Sequence, residues 1–326
     1  MVEIVIPTYK RLERLALLLN SITRQTLLPK KVIIVYAGIS EDSIQQLANT
    51  FTLNIALIPS EPSVCKQRNK GIEKVNSKYI LLCDDDIELP PNYIKTLYNF
   101  LENSKDYLIA TGEEHRLDPS GNWNPIIVSP SHKQLWFNAI FGLTIWSDLT
   151  QDYYKKNSLS RWITSKLLLK GNHISKGGWP MVSEFNTPVM ESTIYGLGCS
   201  MIRSSHLKKN LFNENMPQHG IGENYELALK INGLSKKIAV LRTLNFKHYK
   251  VATNRVSNQQ AYVDRVSELK RVVFNLKYFR LKNRFYFLWS LLGNSTYFLW
   301  SRKWGLFSKN NKVILQAFIS LKLFKK

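Results

Sequence analysis

The chain has 326 residues, with 45 Lys and Arg against 24 Asp and Glu, a formal net charge of +21. A hydrophobic content of 44% excludes a disordered tail protein and allows a sizeable buried core. Three cysteines exclude a disulfide framework and point to a reducing compartment, and no apolar h-region follows Met1, which argues against a secretory signal.

Glu3-Ile4-Val5-Ile6 reads as a short strand ended by Pro7. Leu12, Leu15, Leu19, Ile22 and Thr26 fall at helical spacing and predict a helix over 12–26. Val32-Ile33-Ile34-Val35 is a buried-type strand, and 41–51 is a helix opening on acids. Ile55-Ala56-Leu57-Ile58 is a third strand, 66–75 a short helix, Tyr79-Ile80-Leu81-Leu82-Cys83 a fourth strand, and 91–101 a helix after it. Short apolar strands alternating with helices predict an α/β fold, a mostly parallel sheet flanked by helices. Ligands of such sheets bind beyond the carboxyl ends of the strands. Residues 111–200 are mixed and broken by Gly-Asn-Trp, Ser-Pro-Ser and Gly-Gly-Trp-Pro, with candidate loops over the site; 223–232 reads as a helix and 238–244 as a strand.

The charge is uneven. From Lys247 onward there are 17 Lys and Arg and two acids, Asp264 and Glu268, so +15 of the total sits in the last 80 residues. No acid follows Glu268, and the same final 58 residues hold 14 aromatics. Residues 270–284 carry Val272, Leu276 and Phe279 at helical spacing among basic residues. Residues 285–300 are too short and too polar to span a bilayer, and 309–326 place Lys309, Lys312, Gln316 and Ser320 on one stripe. A basic amphipathic helix with Trp and Phe suits an anionic membrane interface. Single-stranded nucleic acid also fits basic residues with aromatics, but these aromatics cluster in apolar runs rather than between the charges, so no nucleic acid is expected. The plain alternative is a tail packed on the rest of the chain or on a second subunit.

Asp84-Asp85-Asp86 ends an apolar strand. Close carboxylates raise one another's pKa unless a cation neutralises them, and a hard divalent cation such as Mg²⁺ or Mn²⁺ does so with oxygen ligands. The alternative is an acidic turn capping the next helix.

The run Ile-Val-Ile-Pro-Thr-Tyr-Lys-Arg from Ile4, then Gln67-Arg68-Asn69-Lys70-Gly71, then Tyr79 through Asp86-Ile87-Glu88-Leu89-Pro90-Pro91, resembles a family 2 glycosyltransferase with a GT-A fold. Gly196-Leu197-Gly198-Cys199-Ser200-Met201-Ile202-Arg203, Phe212-Asn213-Glu214-Asn215 and Gly222-Glu223-Asn224-Tyr225-Glu226-Leu227 are similar to that family's acceptor half. The resemblance covers 1–255 as a catalytic domain, with 1–112 the nucleotide-sugar half and 113–255 the acceptor half; 256–326 is the basic, aromatic-rich helical tail.

The resemblance implies a metal-dependent, inverting transfer from a UDP-, dTDP- or GDP-linked sugar to a glycan or lipid-linked acceptor. The setting would be surface polysaccharide biosynthesis, in the cytoplasm and peripheral on the inner face of the membrane. It places Asp84 and Asp86 as metal ligands, Asp86 favoured as the direct one, and Asp85 or Asp84 on the ribose or behind the metal. Pro7, Thr8, Tyr9 and Arg11 would line the nucleotide, with Arg68 and Asn69 near the donor; an ordinary helix-surface charge is the alternative for Arg68. In the turn that usually carries an aspartate toward the base, Gly38, Ser40 and Asp42 survive while Tyr36 or Ala37 stands at the acidic position; Tyr36 could stack on the base instead. The usual Glu-Asp pair of the catalytic base is Glu223-Asn224 here, and an amide has no basic site of use. Glu223 is the expected base, Glu226 the alternative, and a noncatalytic nucleotide-sugar or glycan-binding relative the runner-up. His248 falls where the family places a metal or diphosphate histidine, with a structural role open beside it. His219 is a weaker candidate for acceptor or phosphate contact, Arg255 is similar to an arginine of the family's closing segment, and Trp123, Trp136 and Trp179 are candidates for sugar stacking or core packing. Cys65, Cys83 and Cys199 lack metal spacing and read as small buried residues.

Overall fold

The computed structural model describes residues 1–125, 129–183, 185, 187–194, 198–233, 236–249, 256–275 and 279–323. In chain order the elements are β1 (Val2–Tyr9), α1 (Leu12–Thr23), β2 (Lys31–Ala37), α2 (Glu41–Asn49), β3 (Ile55–Pro59), α3 (Val64–Lys74), β4 (Tyr79–Cys83), β5 (Ile87–Glu88), α4 (Tyr93–Asn103), β6 (Tyr107–Leu117) and β7 (Trp123–Pro125). Then come α5 (His132–Phe141), β8 (Ile145–Trp146), α6 (Asp152–Lys155), α7 (Ser158–Lys170), β9 (His173–Ile174), β10 (Pro180–Val182), β11 (Val189–Ser192), β12 (Cys199–Arg203), α8 (Ser204–Leu207), α9 (Asn224–Gly233), β13 (Lys237–His248), α10 (Asn258–Asn275), α11 (Leu281–Trp300) and α12 (Trp304–Leu323). The chain divides into two compact units: residues 1–126 with 188–255, and residues 127–187 with 256–326. Residues 127–187 thus leave the expected continuous stretch 1–255 and group with the C-terminal segment.

The first unit is built on a sheet ordered β11-β13-β6-β12-β4-β1-β2-β3. β3, β2, β1 and β4 run parallel, as the alternation predicts. β12 then enters antiparallel between β4 and β6, so the full sheet is mixed. The central strands read as continuous apolar runs because both faces are covered. Ile4, Ile6, Val32, Ile34 and Leu81 pack with Leu15, Leu18 and Leu97 of α1 and α4. Their neighbours Val5, Ile33, Val35, Ile80 and Leu82 point the other way, toward Ile72 of α3 and Leu227 and Ile231 of α9. Each fully buried aliphatic side chain contributes about 1.5–3 kcal/mol, and a one-residue register slip would exchange the two sets.

Pro7 does not end β1, which continues to Tyr9. The ladder to β4 stops at Val5↔Leu82, while the ladder to β2 runs on through Pro7↔Val35, so Pro7 stands where only one neighbour remains. Ser40 starts α2 by accepting the Ser43 N–H at 3.3 Å, with Glu41 and Asp42 in the first turn beside the positive end of the helix dipole.

The second unit has its own core. Leu143 and Trp179 from 127–187 pack with Val266, Leu269, Phe287 and Leu291 from the C-terminal segment. The Trp179 indole N–H donates to Ser290 Oγ at 2.7 Å, which makes this tryptophan a core residue. Trp136 donates to Ser160 Oγ at 2.7 Å and packs on a satellite cluster around Leu135 and Tyr154. The expected helix over 270–284 is divided: α10 ends at Asn275, and α11 starts afresh where Asn283 Oδ1 accepts the Arg280 N–H at 3.0 Å. Among the described residues, no helix is long and apolar enough to cross a membrane.

Candidate active site

The carboxyl ends of β1 and β4 bring the predicted residues together. Asp85 is fully buried behind them: Thr8 Oγ1 donates to its Oδ2 at 2.7 Å, and Arg11 Nη2 lies 2.8 Å from its Oδ1. Burial pushes the Asp85 carboxyl up to about 7 against the pull of Arg11 and Thr8. Arg11 also reaches Asp86 Oδ2 at 3.1 Å, so one exposed-side guanidinium ties two of the three acids. Gln67, which stands in the same motif as Arg68 and Asn69, donates to Thr8 O at 2.8 Å and Val35 O at 2.7 Å, holding the ends of β1 and β2.

β13 brings His248 to the same place, registered opposite Ile87 of β5. Its Nε2 is 3.1 Å from Asp86 Oδ1 and its Nδ1 is 2.7 Å from Glu114 Oε1. Burial disfavours the charged imidazole, but Asp86 and Glu114 outweigh it and hold His248 up at about 9. Burial is likewise outweighed at Asp86, where the His248 hydrogen bond leaves the carboxyl below its usual value. His248 and Arg116 hold Glu114 down at about 2, again against burial. Nothing in the sequence singled out Glu114: it is one of four consecutive charged or ionisable residues at the end of β6, and only the pairing of β6 with β13 aims it at His248.

Asp84, Asp86 and His248 each present one ligand atom, all within 4.8 Å of one another. Two carboxylates with an imidazole form a donor set that suits a divalent cation, and a cation would relieve the repulsion between the two acids. The residues therefore fit the metal role expected of them.

Arg68 is not a surface charge. It is 2% exposed; Nη1 donates to Glu223 Oε1 and Nη2 to Asp84 Oδ1, both at 2.6 Å. Burial works against the guanidinium, but Asp84 and Glu223 drive its pKa above the usual value, so it stays charged. The carboxyls carry the cost: burial pushes Glu223 up to about 7 and raises Asp84, with Arg68 opposing both. Glu223 is delivered by a turn in which its N–H donates to Gly220 O at 3.1 Å, and Gly222 at φ +97 takes a conformation closed to most residues. Glu226 pairs instead with Lys230, one helical turn along, at 2.8 Å.

The other predicted residues are placed as follows. Asn69 spends its amide on the 212–214 loop, donating to Phe212 O and Glu214 Oε1 and accepting the Phe212 N–H, each at 2.9 Å. Pro7 is buried in β1, and Tyr9 lies under Lys10, whose Nζ is 5.2 Å from the ring centroid. Gly38 sits at φ +67, and a Cβ there would lie 2.7 Å from Tyr9 Cε2, so only glycine fits. Ser40 serves as the cap of α2, and Asp42 is exposed in its first turn. Tyr36 is largely buried and lines a cavity of about 540 Å³ with Glu41, Gln45 and Phe51; none of the three strand-end aspartates lines it. His219 is exposed, Trp123 packs edge-on against Tyr249 with centroids 4.9 Å apart, and all three cysteines are buried and form no disulfide. Gly196, Leu197, Arg255 and Leu276 lie outside the described residues.

Comparison with known proteins bears on the family and the fold. The family model for Glycosyl transferase family 2 matches residues 3–168, just over half of the chain. YwdF of Bacillus subtilis strain 168, an uncharacterized glycosyltransferase, is 34% identical over 113 residues, 34% of this chain; the match spans 42% of that protein's length. Among solved structures, S. aureus TarS 1–349 in complex with UDP-GlcNAc is similar at a TM-score of 0.55 and 15% identity, covering 97% of this chain and 81% of that one. GalNAc-T7 with UDP, GalNAc and Mn²⁺ is similar at 0.52 and 12%, covering 82% and 47%. At those identities the structural likeness speaks for the fold. Strand-end acids on an α/β sheet, the family match and the shared fold converge: the chain belongs to glycosyltransferase family 2, with a GT-A fold.

Proposed function

We propose that the protein transfers a sugar from a nucleotide-sugar donor to a glycan or lipid-linked acceptor, metal-dependently and with inversion, in surface polysaccharide assembly. The observation that carries this reading is the buried Arg68, which joins the metal-type acid Asp84 to the carboxylate Glu223. A divalent cation held by Asp84, Asp86 and His248 would supply positive charge to the leaving diphosphate. Glu223 accepts the proton of the acceptor hydroxyl; with its pKa raised to about 7, it is close to the best match for a base at neutral pH. Arg68 holds Glu223 in place, Thr8 and Arg11 hold Asp85 and Asp86, and Glu114 fixes the orientation of His248. TarS with UDP-GlcNAc and GalNAc-T7 with UDP make a UDP-sugar the first donor to test. The basic segment after Lys247 is proposed to keep the enzyme peripheral on the inner face of an anionic membrane.

The test is a thermal-shift screen with UDP-, dTDP- and GDP-sugars, with and without Mn²⁺, followed by transfer assays on the donor that responds. A stabilisation that needs both donor and metal, lost in Asp86→Ala, is expected. Glu223→Gln should keep donor binding and lose transfer, while Glu226→Gln keeps both. Because the base acts deprotonated, wild-type transfer should rise with pH through about 7. Metal-dependent donor binding with no hydrolysis or transfer would replace this reading with the noncatalytic one.

A further inference from the structure

We infer that the turn between α11 and α12 is a docking point for a bilayer with anionic headgroups, an inference that deepens the membrane reading above and rests on it. Trp300 is 81% exposed and Trp304 60%, and the exposed cations Arg302 and Lys303 stand between them. These side chains are displayed by an ordered turn. The Arg302 N–H donates to Leu299 O at 3.1 Å, the Lys303 N–H to Phe298 O at 2.8 Å, and the Ser301 hydroxyl to Tyr297 O at 2.7 Å. Arg302 takes φ +55, a left-handed conformation that is strained for a non-glycine residue. Behind the turn the hairpin is locked by Asn310, which donates to Leu291 O at 2.8 Å and Ser295 Oγ at 2.7 Å.

The apolar exposure continues along α11. Leu281, Phe285, Trp289, Leu292 and Leu299 recur at helical spacing and are 44–55% exposed, while Phe287, Leu288, Leu291 and Phe298 fill the core from the opposite side. A helix apolar on both sides has its outer face covered by something less polar than water. Charge decides among the candidates. Two indoles flanking two cations match the headgroup boundary, where the rings enter the acyl edge and the cations meet phosphates. No acid follows Glu268 to repel an anionic surface.

The test uses the full chain with vesicles of phosphatidylcholine alone and of phosphatidylcholine mixed with phosphatidylglycerol. Wild type should float with the anionic vesicles and not with the neutral ones. Arg302→Gln/Lys303→Gln should lose roughly thirtyfold in partitioning, the effect of two cations near an anionic surface. Trp300→Ser/Trp304→Ser should lose roughly tenfold or more, with a far-UV circular dichroism spectrum like wild type. Independently of any variant, brominated lipid should quench wild-type tryptophan fluorescence. Equal flotation on both vesicle types, wild-type flotation of either variant, or no quenching overturns the proposal. So does a wild-type dimer in solution that the Trp variant converts to monomer, since the face would then serve a second copy. Donor binding with Mn²⁺ is read separately: its loss with flotation intact refutes the proposed reaction and leaves the docking turn standing.

Discussion

Replacing Arg68 with methionine removes a buried charge while keeping a side chain of similar length. The guanidinium makes two charged hydrogen bonds at 2.6 Å, one to Glu223 and one to Asp84. Glu223 is 8% exposed, and 27% of the Asp84 side chain reaches solvent, so Glu223 is the more heavily stranded of the two. Orphaning one partner of a buried pair costs about 3–5 kcal/mol. For a unit of this size each kcal/mol moves the melting temperature by about 2–4 °C, which predicts a fall of about 6–20 °C. The loss should depend on pH, with a definite sign. Without Arg68 the folded-state pKa of Glu223 rises further above its unfolded value, so the folded chain holds a proton that the unfolded chain has released. Stability of the variant therefore falls as pH rises from 6 to 8, more than it does in wild type. The assay is thermal unfolding followed by circular dichroism at both pH values. Adding Glu223→Gln to Arg68→Met should recover a substantial part of the loss, because one of the stranded charges is gone. A fall in melting temperature smaller than about 2 °C, or one equal at both pH values, would refute the argument that Arg68 is the charge partner that makes the site foldable.

Two further predictions follow from the same geometry. Glu114→Gln removes the carboxylate on His248 Nδ1 and should weaken Mn²⁺ binding roughly 10–100-fold, read as the midpoint of a metal titration by thermal shift; an unchanged midpoint would show that Glu114 does not orient the histidine. Gly38→Ala forces a Cβ to within 2.7 Å of Tyr9 at φ +67 and should cost about 1–3 kcal/mol, measured by urea unfolding; equal stability of alanine and glycine would mean the turn relaxes freely.

One part of the molecule is written in local pattern. Apolar runs of four or five residues between amphipathic helices specify an α/β sheet covered on both faces, and Asp84-Asp85-Asp86 at the end of such a run marks where charge would meet ligand. The concentration of cations after Lys247 was likewise plain from counting. Other features depend on residues far apart in the chain. Glu223 stands 155 positions from Arg68, and Glu114 stands 134 from His248, so neither contact leaves a periodic trace. Only the packing of α3 against the 217–223 turn, and of β6 beside β13, brings each pair together. The tail shows the same limit: composition announced a basic, aromatic segment, but it could not say which aromatics face inward. Tertiary structure decided that Phe287, Leu288 and Leu291 fill a core with Leu143 and Trp179, while Trp300 and Trp304 stay in solvent. Burial is a property of what a side chain meets across space, and the order of residues along the chain does not carry it.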